Sequence, residues 1–274
     1  MSNTPEPFIP QPSERLRAFL ATRPGHASLS LITGYFHATL IGGEHIPREG
    51  GALIVGNHAL FALDSAVLGA LLVRDVGRSP RFLADRKLWA VPGLRQLIKA
   101  IGGLPGEPSA ARELLERGEL VVVYPGGIDD SLKSRAERYQ LKWSTRAGFA
   151  RVAIQAGAPI IPVAALGIDD MYSVVAREHI VGRRLFGGPR YDLPIAFGAL
   201  GTLLPRRVKQ TYVALPPIST QGASESASDI ERIRLATYTA IDSGLARARI
   251  GSRLRGQAQA TAGGRQTGEN ATRL

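Results

Sequence analysis

Along the chain, apolar residues fall into two kinds of run. The stretches "ALIVG" (52–56), "LVVVYP" (120–125) and "PIIPVAALG" (159–167) are continuous and rich in β-branched residues, the pattern of strands buried on both faces. Between them, "DSAVLGALLVRDVG" (64–77), "SAARELLERG" (109–118) and "TRAGFARVAIQAG" (145–157) repeat apolar positions at helical spacing and end on glycine. Shorter runs, "HATLIGG" (37–43), "RFLAD" (81–85) and "QTYVALPPI" (210–218), predict further strands, and "GLRQLIKAIG" (93–102) and "SASDIERIRLATYTAIDSGLARARI" (226–250) further helices. Strand and helix alternate, which predicts an α/β fold: a single domain with a largely parallel central sheet flanked by helices.

Three zones follow. Residues 1–36 read as a leader with helices that could touch a membrane; positions 1–12, with four prolines, are disordered, and "SERLRAFLAT" is a short helix with Ser13 as N-cap. Residues 37–246 form the domain that carries the chemistry, and 247–274 a disordered basic tail. The segment 176–207 is too broken by glycine and proline to be one regular helix. With its arginines at both ends it reads equally as a membrane-facing lip or as a loop covering the core.

Composition narrows the function. With no cysteine, disulfides and thiolate chemistry drop out, which fits a cytosolic protein. The start of the chain lacks the pattern of a secretory signal, and no stretch reaches the ~18 consecutive apolar residues of a spanning helix. A net charge of +11 favours polyanions such as anionic phospholipid. Nucleic acid is disfavoured, because 6% aromatic content offers no stacking platform and no nucleic-acid motif is present. Nor is there a Gly-x-Ser-x-Gly elbow for a serine esterase.

The candidate chemistry sits in "GALIVGNHALFALDSAVLGALLV" (51–73), where His58 and Asp64 interrupt the most apolar part of the chain. His58 follows a predicted strand at its carboxyl end, where parallel α/β folds gather ligand-binding residues. A neutral histidine with one ring nitrogen held by a carboxylate keeps the other as a proton acceptor. Six positions on a helix turn through 600°, so the two side chains meet only if "HALFA" is a turn before the helix. The plainer alternatives are that Asp64 caps its helix and that His58 packs at a strand end.

"GALIVGNHALFALD" resembles the first block of the glycerolipid (lysophospholipid-type) acyltransferase superfamily, an Asn-His pair followed by an aspartate. The five intervening residues are similar to the branch of plant phytyl ester synthases and diacylglycerol acyltransferase-like proteins. "IGGLPGEPSAARELLERGELVVVYPGG" resembles the second and third blocks, and "YQLKWSTRAGFARVAIQAGAPIIPVAALGIDD" the region through the fourth. The resemblance implies an acyltransferase acting on lipids, with His58 as catalytic base and Asp64 as its orienting carboxylate. It also implies that Asn57 and the Gly126–Gly127 turn shape the substrate site, with main-chain N–H groups there facing an oxyanion. Pro159 and Pro162 match the structural fourth block.

Arg86, Lys87 and Arg146 are candidates for the donor's phosphates, with ordinary surface charge as the alternative for each. No metal or other cofactor is implied beyond the acyl-CoA or acyl carrier protein that serves as donor. The partners are that acyl thioester, a lipid acceptor and an anionic membrane surface, which places the protein peripherally on the cytoplasmic face of a membrane. Two departures from the family pattern favour a neutral acceptor such as diacylglycerol or a long-chain alcohol. Where better-studied members carry an arginine in the second block, "GGLPGEP" has Glu107 and Pro108. Where the third block often has Glu and Arg, "YPGGIDDS" has Ile128, Asp129 and Asp130. The alternatives are a lysophospholipid acyltransferase, a non-catalytic lipid-surface binder, and a thioesterase using water at His58.

Overall fold

The computed structural model describes residues 22–85, 95–96, 98, 103–178 and 193–271. Its centre is a seven-stranded sheet built from β1 (Thr39–Ile41), β2 (Ala52–Gly56), β3 (Pro80–Ala84), β4 (Gly103–Pro105), β5 (Leu120–Val123), β6 (Ile160–Leu166) and β9 (Thr211–Ala214). The spatial order is β1-β9-β6-β2-β5-β3-β4. Every pairing is parallel except β6 with β9. β7 (Ser173–Glu178) and β8 (Leu193–Phe197) form a separate antiparallel pair.

The continuous apolar strands are explained by burial on two sides. In β2, Ala52 and Ile54 join one core cluster with Leu68, Leu71 and Leu72 of α2 (Leu63–Leu71) and the π-helical turn Leu72–Val76 that continues it. Leu53 and Val55 join a second cluster with residues of α3 (Pro108–Glu116), α5 (Gly148–Gln155) and α6 (Ala227–Ala271). Alternate side chains of one strand thus face opposite layers, and neither face has room for polar residues. The remaining helices are α1 (Arg23–Tyr35), which packs near α2, and the short α4 (Gly127–Ser131) after β5.

Helix α1 lies in the zone expected to hold helices, and two other elements differ from the sequence expectation. Helix α1 starts at a Thr22 N-cap with proline in its first turn, although "SLSLITGY" lacks a clear helical stripe. β4 is only three residues inside Gly/Pro-rich text, and its pairing with β3 rather than its composition makes it a strand. Helix α6 runs to Ala271, so the tail expected to be disordered from 247 is helical through most of its length. The tail is rich in Arg and Ala and contains no proline, and it is helical in spite of five glycines. The helices expected at 13–22 and 93–102 lie wholly or largely outside the described residues, as does the middle of the 176–207 segment.

Candidate active site

β2 delivers the chain to the carboxyl end of the sheet, and the turn after it sets the site. Phe61 and Ala62 adopt left-handed backbone (φ 62° and 54°), uncommon for residues with a Cβ and costing roughly 1–3 kcal/mol each. This kink uncouples His58 from the helical phase of α2 and lets the Nδ1 of His58 lie 2.9 Å from Oδ2 of Asp64. Asp64 therefore does not cap its helix: the N-cap is Ala62, which makes no side-chain cap bond. The Asp64 carboxylate is 1% exposed and the His58 side chain 16%.

An ionised Asp64 accepts from Nδ1–H, which leaves Nε2 as the unprotonated acceptor, with no hydrogen bond to it among the described residues. Burial pulls the imidazole pKa down. The Asp64 charge and hydrogen bond, with Asp130 adding to them and Lys133 opposing, outweigh it and hold the ring above its ordinary value. Tyr124 stacks on His58 with ring centroids 4.2 Å apart and 13° between planes, and its hydroxyl accepts from Ser65 at 3.2 Å.

Beneath the turn lies a buried charge cluster absent from the sequence expectation. Asp130 on α4 accepts the main-chain N–H of His58 (3.0 Å) and of Lys142 (3.1 Å). The Lys133 ammonium lies 3.5 Å from Asp130 and 3.0 Å from Asp169, pairing by charge without an aligned hydrogen bond. Asp169 also accepts the Tyr139 N–H at 2.7 Å. Burial pushes the Asp169 carboxyl above the usual carboxylate range, with Lys133 and the Tyr139 N–H only partly opposing. Lys133 and Asp169, with Leu60, Ser131, Ile168, Tyr172 and Val174, line a small pocket with room for about one water molecule.

The other expected site residues take different places. Asn57 is buried, and its amide is spent on Ala165: Nδ2 donates to the carbonyl (2.9 Å) and Oδ1 accepts the N–H (2.8 Å). It pins β2 to β6 behind His58 instead of facing substrate. Gly126 is required because a Cβ there would collide with Asp130. The Gly127 N–H donates to the Tyr124 carbonyl at 2.9 Å, so it is committed to the turn and not open to an oxyanion. Arg146 donates to the Pro125 and Gly126 carbonyls and pairs with Asp129, so its guanidinium braces this turn rather than standing ready for a phosphate. Arg86 and Lys87 lie outside the described residues.

The signal for the missed cluster was "IDDSLKS", where Asp130 and Lys133 stand three apart beside apolar residues. In sequence that reads as a solvated helix face.

Comparisons with known proteins identify the family. Residues 37–166 match the family model described as Acyltransferase. A Bos taurus protein and a Homo sapiens protein, each described as "DGAT1/2-independent enzyme synthesizing storage lipids", are similar to this chain. The first is 30% identical over 188 residues, covering 69% of this chain and 56% of the relative. The second is 31% identical over 202 residues, covering 73% and 60%. The chain thus spans somewhat over half the length of these relatives. Among solved structures, the 1-acyl-sn-glycerophosphate (LPA) acyltransferase PlsC from Thermotoga maritima matches with a TM-score of 0.49 at 16% identity, covering 83% of this chain and 86% of that one. With its acyltransferase block matched from 37 to 166, and with relatives aligned over more than two thirds of its length, the chain belongs to the glycerolipid acyltransferase superfamily.

Proposed function

We propose that the protein moves a fatty acyl group from an acyl thioester, acyl-CoA or acyl carrier protein, to the hydroxyl of a neutral lipid, with His58 as general base. The observation that carries the reading is the 2.9 Å bond from His58 Nδ1 to the buried Asp64, with Nε2 left without a partner among the described residues at the carboxyl end of the sheet. Nε2 takes the acceptor's hydroxyl proton as the oxygen attacks the thioester carbonyl. Asp64 stabilises the imidazolium that forms. Collapse of the tetrahedral intermediate breaks the C–S bond, and the departing thiolate takes the proton back from Nε2. The step needs neither a metal nor a covalent enzyme intermediate.

A neutral acceptor is supported by the state of two nearby cations. Lys133 is paired with two carboxylates, and Arg146 is held by carbonyls and Asp129, so neither is available to an acceptor phosphate. The storage-lipid description of the bovine and human relatives points the same way. Among the described residues no helix is long and apolar enough to cross a membrane. Peripheral attachment at the cytoplasmic face of a membrane belongs to the same proposal.

The test is turnover of a long-chain acyl-CoA with diacylglycerol, a fatty alcohol and lysophosphatidate offered separately, beside His58→Ala. Neutral ester formed by the wild type alone is the expected result. Preference for lysophosphatidate would move the protein to phospholipid synthesis, and release of free acid with no ester would make it a thioesterase. Equal rates for His58→Ala would sink the catalytic reading.

A further inference from the structure

The loop at residues 198–204, directly after β8, displays three leucines to solvent: Leu200 is 101% exposed, Leu203 72% and Leu204 66%. A side chain at the full exposure of Leu200 stands on a protruding tip. The loop is nonetheless well built. Gly198 N–H donates to the Thr202 carbonyl and Ala199 N–H to the Leu204 carbonyl, each at 2.7 Å, and the Thr202 hydroxyl donates to the Ala199 carbonyl at 2.8 Å. A Cβ at Gly198 would run into the Leu204 carbonyl, so glycine is needed to close the loop. Ile195 and Phe197, two apart on β8, add exposed apolar area at its base.

The loop is anchored to the rim of the His58 site. The Tyr172 hydroxyl donates to the Leu203 carbonyl at 2.9 Å, and the Tyr172 ring meets the exposed Phe61 edge-on with centroids 5.1 Å apart. Phe61 belongs to the kinked turn three residues after His58. On the other side, the Tyr35 hydroxyl at the end of α1 donates to the Pro205 carbonyl at 2.7 Å. Exposed Arg207 and Lys209 follow within five residues of Leu204, in a chain of net charge +11.

We propose that the 198–204 loop inserts its leucines into the acyl region of a lipid bilayer while Arg207 and Lys209 meet anionic head groups, which brings the His58 site to the bilayer surface. Leucines on a protruding tip with cations just behind them match the depth profile of a bilayer interface, apolar outward of charged. This occupant rests on the acyltransferase reading for its purpose but not for its test. It also gives Tyr172 a role, as the strut that holds the inserting loop against the turn carrying the catalytic histidine.

The experiment is flotation of the purified chain with vesicles of phosphatidylcholine alone and of phosphatidylcholine mixed with phosphatidylglycerol. It compares wild type, Leu200→Ser with Leu203→Ser, Arg207→Gln with Lys209→Gln, and His58→Ala. Leu200 is fully and Leu203 largely exposed, so their replacement leaves the core intact, which an unchanged melting temperature verifies. The leucine variant is expected to lose about a hundredfold in affinity for mixed vesicles. The cation variant should lose about fivefold per charge, on the anionic vesicles only. His58→Ala should float like wild type.

In the assay of the proposed reaction, the leucine variant should lose turnover of vesicle-borne acceptor and keep it with detergent-dispersed acceptor. Wild-type flotation that the leucine variant loses, with no ester formed by either, would refute the reaction and leave the docking intact. Unchanged flotation of the leucine variant would overturn the docking, as would leucine-dependent self-association without vesicle binding.

Discussion

Two ion pairs lie within a few residues of each other in this fold, and opposite forces win in them. At His58–Asp64, burial is the largest single influence, but the carboxylate's charge and hydrogen bond, with Asp130 adding to them, together outweigh it and lift the imidazole above its ordinary value. At Lys133–Asp169, burial outweighs the ammonium and lifts the carboxyl. The first pair reaches solvent through a ring 16% exposed, whereas side chains of the second are 2% and 3% exposed. A partly solvated ring can exchange its proton and still be held by its partner. A fully buried pair gives up two hydration shells, and its attraction does not fully offset them. One arrangement suits acid–base work, and the other suits fixing a loop in a single position.

The largest expected effect breaks the first pair. His58→Ala should lower turnover by about 10²–10⁴, the usual worth of general-base assistance. It also strands a buried carboxylate, so His58→Gln, which retains a donor for Asp64, is the cleaner companion. The raised folded pKa of His58 contributes stability that is complete below the unfolded value of about 6.5 and is lost as pH rises through the folded value. The stability advantage of wild type over His58→Gln should therefore be greatest in acid and shrink toward alkaline pH in urea titrations. A gap independent of pH would mean that the ring does not gain charge stabilisation from Asp64.

Breaking the second pair should cost stability more than chemistry. Lys133→Met removes the cation between Asp130 and Asp169 and leaves two buried carboxylates facing each other. A loss of about 3–5 kcal/mol in unfolding free energy is expected. Because Asp130 also holds the His58 main-chain N–H, some turnover will fall too, but by less than in His58→Ala when measured well below the melting temperature. If activity disappears while stability holds, the cluster belongs to the reaction and not to the scaffold.

Asp64→Asn sharpens the contrast from the other side. The amide can still occupy the space but no longer supplies charge, so the imidazolium loses its main stabiliser. Turnover should fall by about 10², toward the low end of general-base effects. Because Asp64 is the main group raising the His58 pKa, the acidic limb of kcat/KM should move to lower pH. Asp130 and Lys133, which also act on the ring with opposite signs, remain in both proteins. An acidic limb that stays in place would show that another group titrates there.

The same contrast explains what the sequence made legible. β2, β5 and β6 could be read directly, because strands covered on both faces must be continuously apolar, and His58 and Asp64 stood out against that background. β4 was hidden because three residues beside glycine and proline carry no pattern, and the bounds of α1 because its stripe is weak. Asp130, Lys133 and Asp169 were hidden for a different reason. Polar letters in a polar segment carry no mark of burial, and Asp169 is brought to Asp130 and Lys133 only when α4 and the loop after β6 pack together. Arg146 looked like a phosphate ligand for the same reason, since nothing in "STRAG" reveals that the Pro125–Gly126 carbonyls already hold it.

The smallest expected effect tests the second pair most finely. Asp169→Asn keeps an oxygen that can accept the Tyr139 N–H, and Lys133 retains Asp130 as counter-charge. It also removes a carboxylate whose burial is costly, so the loss at neutral pH should be only about 1 kcal/mol, the net worth of an ordinary hydrogen bond. The pH dependence carries the argument. A carboxyl whose folded pKa is raised contributes stability that is complete below its unfolded value and is lost as pH climbs through the folded value. The variant has no such group, so its deficit relative to wild type should be largest near about pH 4 and narrow as pH rises through the folded value. Urea midpoints of the two proteins across that interval measure the difference directly. A deficit that widens with rising pH would mean that Lys133 holds Asp169 ionised after all, and that in both pairs the partner's charge overcomes burial.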